Sequence, residues 1–195
     1  MLIEISIGEA LDRLSILELK MEKINDKKKL EEIQKDMNTL VEAQKYKIEG
    51  EYYYKLLFYV NKEIWNLTDT IKQLDYTNDA FAKLSHDIFE LNQSRFRLKN
   101  IINKIYESKI NEQKSYKLTE IQFRINDSSL LDPATLLNQL SYISLQYDIL
   151  KISCSEALKE HIIKNVPRFN YTFEECSESL VSIDQINLLV SSISQ

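Results

Sequence analysis

The 195-residue chain is poor in four residue types, with only two each of glycine, proline, cysteine and histidine. Glycine and proline are the residues that helix interiors tolerate least. Gly8, Gly50, Pro133 and Pro167 are the only such breaks, so no proline interrupts the first 132 residues. A stretch this free of breakers, and rich in Lys, Glu, Leu and Ile, predicts long helices. Cys154 and Cys176 are too few and too far apart for a disulfide framework or a zinc site. His86 and His161 are isolated, and no Glu-x-x-His pair offers a di-metal set. Neither a metal nor another cofactor is expected. Any apolar run of about 18 residues is also missing, so no membrane span is expected.

What remains is the composition of a globular protein with a core of its own. The hydrophobic share is 44% and the charged share 28%, which suits one domain or two small ones. The net charge of −5 comes from interspersed acids and bases, which argues against a nucleic-acid surface. The short basic cluster Lys27-Lys28-Lys29 is followed at once by Glu31 and Glu32 and reads as a solvated helix start. Glu4 and Glu9 stand where a secretory signal needs basic and then apolar residues, so a cytoplasmic protein is expected.

Helix starts are the clearest local signals. Leu2 to Ile5 has the makings of a short strand, and Ser6-Ile7-Gly8-Glu9 reads as a capping box opening the first helix. Leu11, Leu14, Leu17, Met21 and Ile24 then mark one helical face. Asn25-Asp26 ends that helix and caps a second, with Leu30, Ile33, Met37, Leu40 and Val41 as its stripe. Residues 45–54 are irregular and Gly50 marks a break. A third helix over 51–74 and a fourth from about 80 past Tyr106 flank the turn Thr77-Asn78-Asp79, which predicts an antiparallel hairpin.

After Tyr116 the periodicity changes. Glu120 to Ile125 alternates at period two, as a half-buried strand does. Asp132-Pro133 opens a helix carrying Leu136, Leu137, Leu140 and Ile143 on one face. Ile149 to Cys154 reads as a buried strand, Ser155 as the cap of a helix to Asn165, and Phe169 to Phe173 as a third strand. Residues 182–193 read as a last helix. Strands alternating with helices imply crossovers and a parallel sheet. The expected fold is therefore α+α/β, a long antiparallel helical hairpin or bundle of coiled-coil type at 1–117, then a small three-stranded, mostly parallel α/β domain at 118–195.

The blocks EISIGEALDRLSILELKMEKI, VNKEIWNLTDTIK, Leu84 to Asn103 and EQKSYK are similar to a bacterial domain of unknown function, over roughly residues 3–117. That resemblance implies recurrent polar positions at Glu9, Asp12, Ser15, Asn61, Trp65, Asp69, Asn92, Arg95, Lys99 and Asn103. It implies no activity, and Gln93 departs from its pattern, which tends to have an acid there. Asp132 and the run LLNQLSYISLQYDILKISC resemble, more weakly, a Rossmann-like half of nucleotide-sugar glycosyltransferases. About 80 residues leave no room for the second half, and no glycine-rich turn precedes the helix at Asp132.

The candidate site is the polar set that interrupts apolar rows: Asp12, Ser15, Asn61, Trp65, Asp69, Asn92, Arg95 and Lys99. Spacings of three and four put Asn61 with Trp65, and Asn92 with Arg95 and Lys99, on single stripes. Such a set either holds a small anionic ligand or forms a buried network fixing helix register, with Arg95 paired to Asp12 or Asp69. The tyrosines 46, 52, 53, 54 and 59 are either an interaction surface or simple packing.

No nucleophile–base or ligand-spacing motif points to an enzyme. The expectation is a non-catalytic interaction or scaffold module that forms a homo-oligomer. The alternatives are an accessory protein that binds a glycan-assembly enzyme, and a binder of a nucleotide sugar or other small anion at the Trp65/Arg95 region or at the C-terminal edges of the parallel sheet, where such sheets usually place ligands.

Overall fold

A computed structural model describes residues 3–112, 117–126, 132–167, 170–175 and 182–183. The chain divides into two compact units, Met1–Gln113 and Lys114–Gln195. The described residues form helices and one parallel sheet, an α+α/β architecture. No described helix is long and apolar enough to cross a membrane.

The first unit is helical. Helix α1 spans Ile7–Lys23, and the Ser6 hydroxyl accepts from the Glu9 N–H at 3.1 Å. Only that half of the expected capping box forms. The Glu9 carboxylate turns instead to Arg13 at 3.1 Å and Lys99 at 3.0 Å, because two cations attract it more strongly than one backbone N–H. The strand expected at Leu2 to Ile5 is also not seen: Ile3–Ile5 carry no regular structure, and Leu2 lies outside the described residues.

Helix α2, Lys27–Thr39, is capped by Asp26. Of its expected stripe only Ile33 is buried; the helix ends before Leu40 and Val41, and Val41 is 66% exposed. The stretch expected to be irregular contains a short helix, α3, at Ala43–Glu49, which ends at Gly50. A β-carbon on Gly50 would run into the Tyr106 hydroxyl.

Helices α4, Glu51–Ile71, and α5, Asp79–Ile105, form the expected hairpin; Asn78 caps α5. Helix α1 lies against the base of this hairpin. Leu11, Leu14 and Leu19 of α1, Leu57 and Val60 of α4, and Leu98, Ile101 and Ile102 of α5 make its core, none more than 2% exposed. Burial of each such aliphatic side chain contributes about 1.5–3 kcal/mol. Gly8 allows the closest approach. Its N–H donates to Asn103 Oδ1 at 2.7 Å, and a β-carbon there would overlap the Lys99 carbonyl oxygen.

The second unit runs β1 (Glu120–Arg124), α6 (Pro133–Gln146), β2 (Ile149–Ser153), α7 (Glu156–Asn165) and β3 (Tyr171–Phe173). The strands pair in parallel in the order β1-β2-β3. Arg124 makes a further parallel bridge to Ser182, on the other side of β1. Asp132 caps α6 through the Ala134 and Thr135 N–H groups, and Ser155 caps α7.

Alternation along the strands divides the sheet into unlike faces. Phe123, Ile125, Leu150 and Ile152 are buried on one, as are Leu136, Leu140 and Ile143 of α6 and Leu158 and Ile162 of α7. Right-handed crossovers stepping in one direction put both helices on one face. The other face carries Glu120, Gln122 and Arg124, then Lys151 and Ser153, then Thr172. Lys151 bridges Glu120 at 2.7 Å and Glu174 at 3.7 Å. Cys154 falls just past β2 and is half-buried, not inside the strand as expected. Phe169, Cys176 and most of the expected last helix lie outside the described residues.

Candidate functional site

The polar set converges where α1 meets α4 and α5, and Asn61 is its hub. Its Nδ2 donates to Asp12 Oδ1 at 2.8 Å and to Ser15 Oγ at 2.7 Å. Its Oδ1 accepts from Arg95 Nη1 at 3.4 Å. The amide of Asn61 is thereby used on both ends, with the residue only 4% exposed. The Ser15 hydroxyl in turn donates to the Asp12 backbone carbonyl at 2.8 Å, as a helical serine can. Arg95 Nη2 donates to Asn92 Oδ1 at 2.7 Å, and Asn92 Nδ2 is tied to the Ile88 carbonyl. Five of the eight expected residues, Asp12, Ser15, Asn61, Asn92 and Arg95, thus form one continuous network.

The register-network alternative had Arg95 paired to Asp12 or Asp69, and it pairs with neither. Its described partners are the two asparagine amides. Asn61 stands between the guanidinium and Asp12, so the charges interact through an intervening amide. Asp69 is outside the network altogether: it is exposed, one turn from Lys72, and bonded to it at 3.3 Å. Trp65 is half-buried one turn beyond Asn61.

Lys99 belongs to an adjoining ionic cluster. Its ammonium sits 3.0 Å from Glu9 and 2.9 Å from Glu112, with Arg13 on the far side of Glu9. Burial alone would lower the Lys99 pKa, but hydrogen bonds to Glu112 and Glu9 outweigh it and raise the value. Burial works the other way on Glu9, yet Arg13 and Lys99 hold its carboxyl below the usual range. Asp12 differs: burial dominates over the Asn61 hydrogen bond and the fields of Arg95 and Lys99, and its pKa is raised.

Sequence reasoning about the site left out Glu9, Asn103 and Glu112, which the structure places at this junction. Glu9 and Asn103 stand among the polar positions that the resemblance implied. Glu112 opens the block EQKSYK that carries the same resemblance, though no role was assigned to it, and the buried Arg97, 8% exposed, gave no signal. The tyrosine run divides: Tyr53 and Tyr54 are buried, Tyr46 meets the Tyr106 ring edge-on at 5.1 Å, and Tyr59 is 57% exposed. Tyr54 donates to Glu18 at 2.8 Å, and Lys47 closes on the same carboxylate at 2.6 Å.

Chemically, the Asn61-centred network is a set of mutually satisfied donors and acceptors, while the neighbouring Asn103 Nδ2 is buried without a partner among the described residues. No described group of three His, Cys, Asp or Glu residues is placed to hold a metal ion.

A family of unknown function, DUF6165, matches residues 1–127. The chain belongs to DUF6165. The match takes in the whole polar network of this DUF6165 chain and continues through β1. No curated protein and no solved structure matches the chain, and no comparison supports the likeness of the second unit to glycosyltransferases.

Proposed function

We propose that the protein is a non-catalytic interaction module that pairs with a second copy of itself through the outer part of the α4–α5 hairpin. One observation carries the reading. No residue from 62 to 95 is buried, although Ile64, Leu67, Ile71 and Leu74 recur on one side of the turn and Phe81, Leu84, Ile88 and Leu91 on the other. Nearer the base the equivalent positions Leu57, Val60, Leu98 and Ile102 are at most 2% exposed. Two helices alone cannot enclose an apolar seam, whereas two hairpins packed together make a four-helix bundle that can.

A second copy suits the arm because both signs of charge are spread along it, with Lys62, Lys72 and Lys83 interspersed among Glu63, Asp69, Asp75, Asp79, Asp87 and Glu90. In an antiparallel pairing the lysines of one arm can face the acids of the other, and closed two-fold dimers are the commonest homo-oligomers. Phe89 and Tyr76, 57% and 80% exposed, add aromatic surface of the kind that interfaces favour. The polar network then acts as a register lock, holding α1 and the two hairpin helices in one relative setting so that the arm is presented rigidly.

Light scattering on a size-exclusion column tests this. The expected result is twice the monomer mass, reduced to monomer by Leu84→Glu with the helical circular dichroism retained. A wild-type monomer across a hundredfold concentration range would refute it.

A further inference from the structure

The carboxyl end of the sheet contains polar groups that the interaction reading leaves unused. Arg124 is the last residue of β1, and its neighbours in register are Ser153 on one side and Ser182 on the other. Register neighbours on parallel strands point to the same face, so a guanidinium stands between two hydroxyls in one row. With strands about 4.8 Å apart, that row is about 10 Å wide. Ser153 is 0% exposed, and its hydroxyl has no hydrogen-bond partner among the described residues. The Arg124 Nε is buried and equally without one. A buried hydroxyl and a buried guanidinium N–H left open side by side are costly, and such a pair calls for something that satisfies both.

The neighbouring charges define what that something is. Glu120 and Glu174, two acids on this face, are both engaged by Lys151, and Glu174 also accepts from Gln122 at 2.9 Å. Glu156 at the start of α7 is tied to Lys159 at 2.9 Å. No described carboxylate lies within ion-pairing distance of Arg124, whose positive charge is thus left for an anion. Helix α7 begins two residues after the Ser153–Cys154 peptide, with Ser155 as its cap, and its free N–H groups add positive potential there.

Topology points to the same place. From β1 the chain steps to β2 and β3 on one side, and Ser182 returns on the other. Open parallel sheets bind ligands outside the strand carboxyl ends where the order reverses in this way.

We propose that this end of the sheet binds the phosphate group of a small phosphorylated molecule, with Arg124 clamping the oxygens and the Ser153 hydroxyl donating beside it. A guanidinium recognises phosphate through two parallel N–H bonds, which an ammonium cannot reproduce.

The test uses the full chain, with inorganic phosphate and glucose 1-phosphate titrated by calorimetry against sodium chloride of equal ionic strength. Saturable binding of either is expected; binding of the ester alone would assign the site to phosphate esters, and binding of both to the phosphate group itself. Arg124→Gln is expected to weaken binding at least tenfold, and Arg124→Lys several-fold.

Ser153→Ala distinguishes a ligand group from a structural one. It should weaken binding while leaving the phosphate-free melting temperature unchanged or higher, because the hydroxyl removed has no partner to lose. No saturable binding, full binding by Arg124→Gln, or a lower phosphate-free melting temperature for Ser153→Ala would each overturn the proposal.

Discussion

Replacing Asn61 by alanine tests whether the network holds the helices together. The change deletes three bonds: one to the Asp12 carboxylate at 2.8 Å, one to Ser15 at 2.7 Å, and a longer one from Arg95 at 3.4 Å. A bond to a charged group contributes about 1.5–3 kcal/mol and a neutral one about 1 kcal/mol, and the long Arg95 contact adds little. Asp12, 6% exposed, is also left in the interior without its amide donor. The sum is about 3–4 kcal/mol.

For a unit of this size each kcal/mol moves the melting temperature by about 3–5 °C, so a fall of about 9–20 °C follows. Circular dichroism at 222 nm follows the helices directly, and urea unfolding should show the same loss with an unchanged slope. A fall below about 3 °C would refute the reasoning, since Asn61 would then be replaceable by water or by relaxation of its neighbours.

Two further substitutions probe the same junction. Gly8→Ala places a β-carbon against the Lys99 carbonyl and 2.9 Å from Asn103 Oδ1. Backbone has little room to yield, so thermal unfolding should show a loss of about 1–3 kcal/mol; an unchanged melting temperature would mean that α1 slides freely on α5. Asp12→Asn should stabilise the protein at pH 7. Burial raises the Asp12 pKa, so as pH rises from the usual carboxylate value the unfolded chain loses its proton first and wild-type stability falls. The gain should vanish near pH 3, where both forms are neutral, and urea unfolding at the two pH values reads it. A loss at pH 7 would show that Arg95 and Lys99 need the charge more than burial penalises it.

The local chemistry of this fold was open to reading from sequence. Ser6, Asp26, Asn78, Asp132 and Ser155 all cap helices, because each such oxygen is placed to accept N–H groups two or three residues on. The alternation of Glu120 to Arg124 likewise follows from one polar and one apolar face. Periodicity also put Asn61, Asn92 and Arg95 on the inner stripes of their helices.

What the chain pattern does not contain is which atoms meet across elements. Helical spacing gives a face, but the rotation and slide of α1 on α4 and α5 decide that Asn61, and not Arg95, contacts Asp12. Asp69 has the right spacing yet lies beyond the reach of α1. Glu9 had a local role to play as a capping residue and was drawn off by Lys99, ninety residues away. Val41 fitted a stripe whose helix had already stopped.

The family match ends at residue 127, three residues after β1 closes. That border cuts the sheet beside the strand that pairs with both β2 and the Ser182 position. A chain trimmed to the matched region would end in a lone strand, with Ile121, Phe123 and Ile125 stripped of their cover and both backbone edges open. Such a segment is a template for intermolecular pairing. Recombinant production guided by the family border should therefore give insoluble or polymerised material, while a cut near residue 113, where the first compact unit ends, leaves no orphan strand behind.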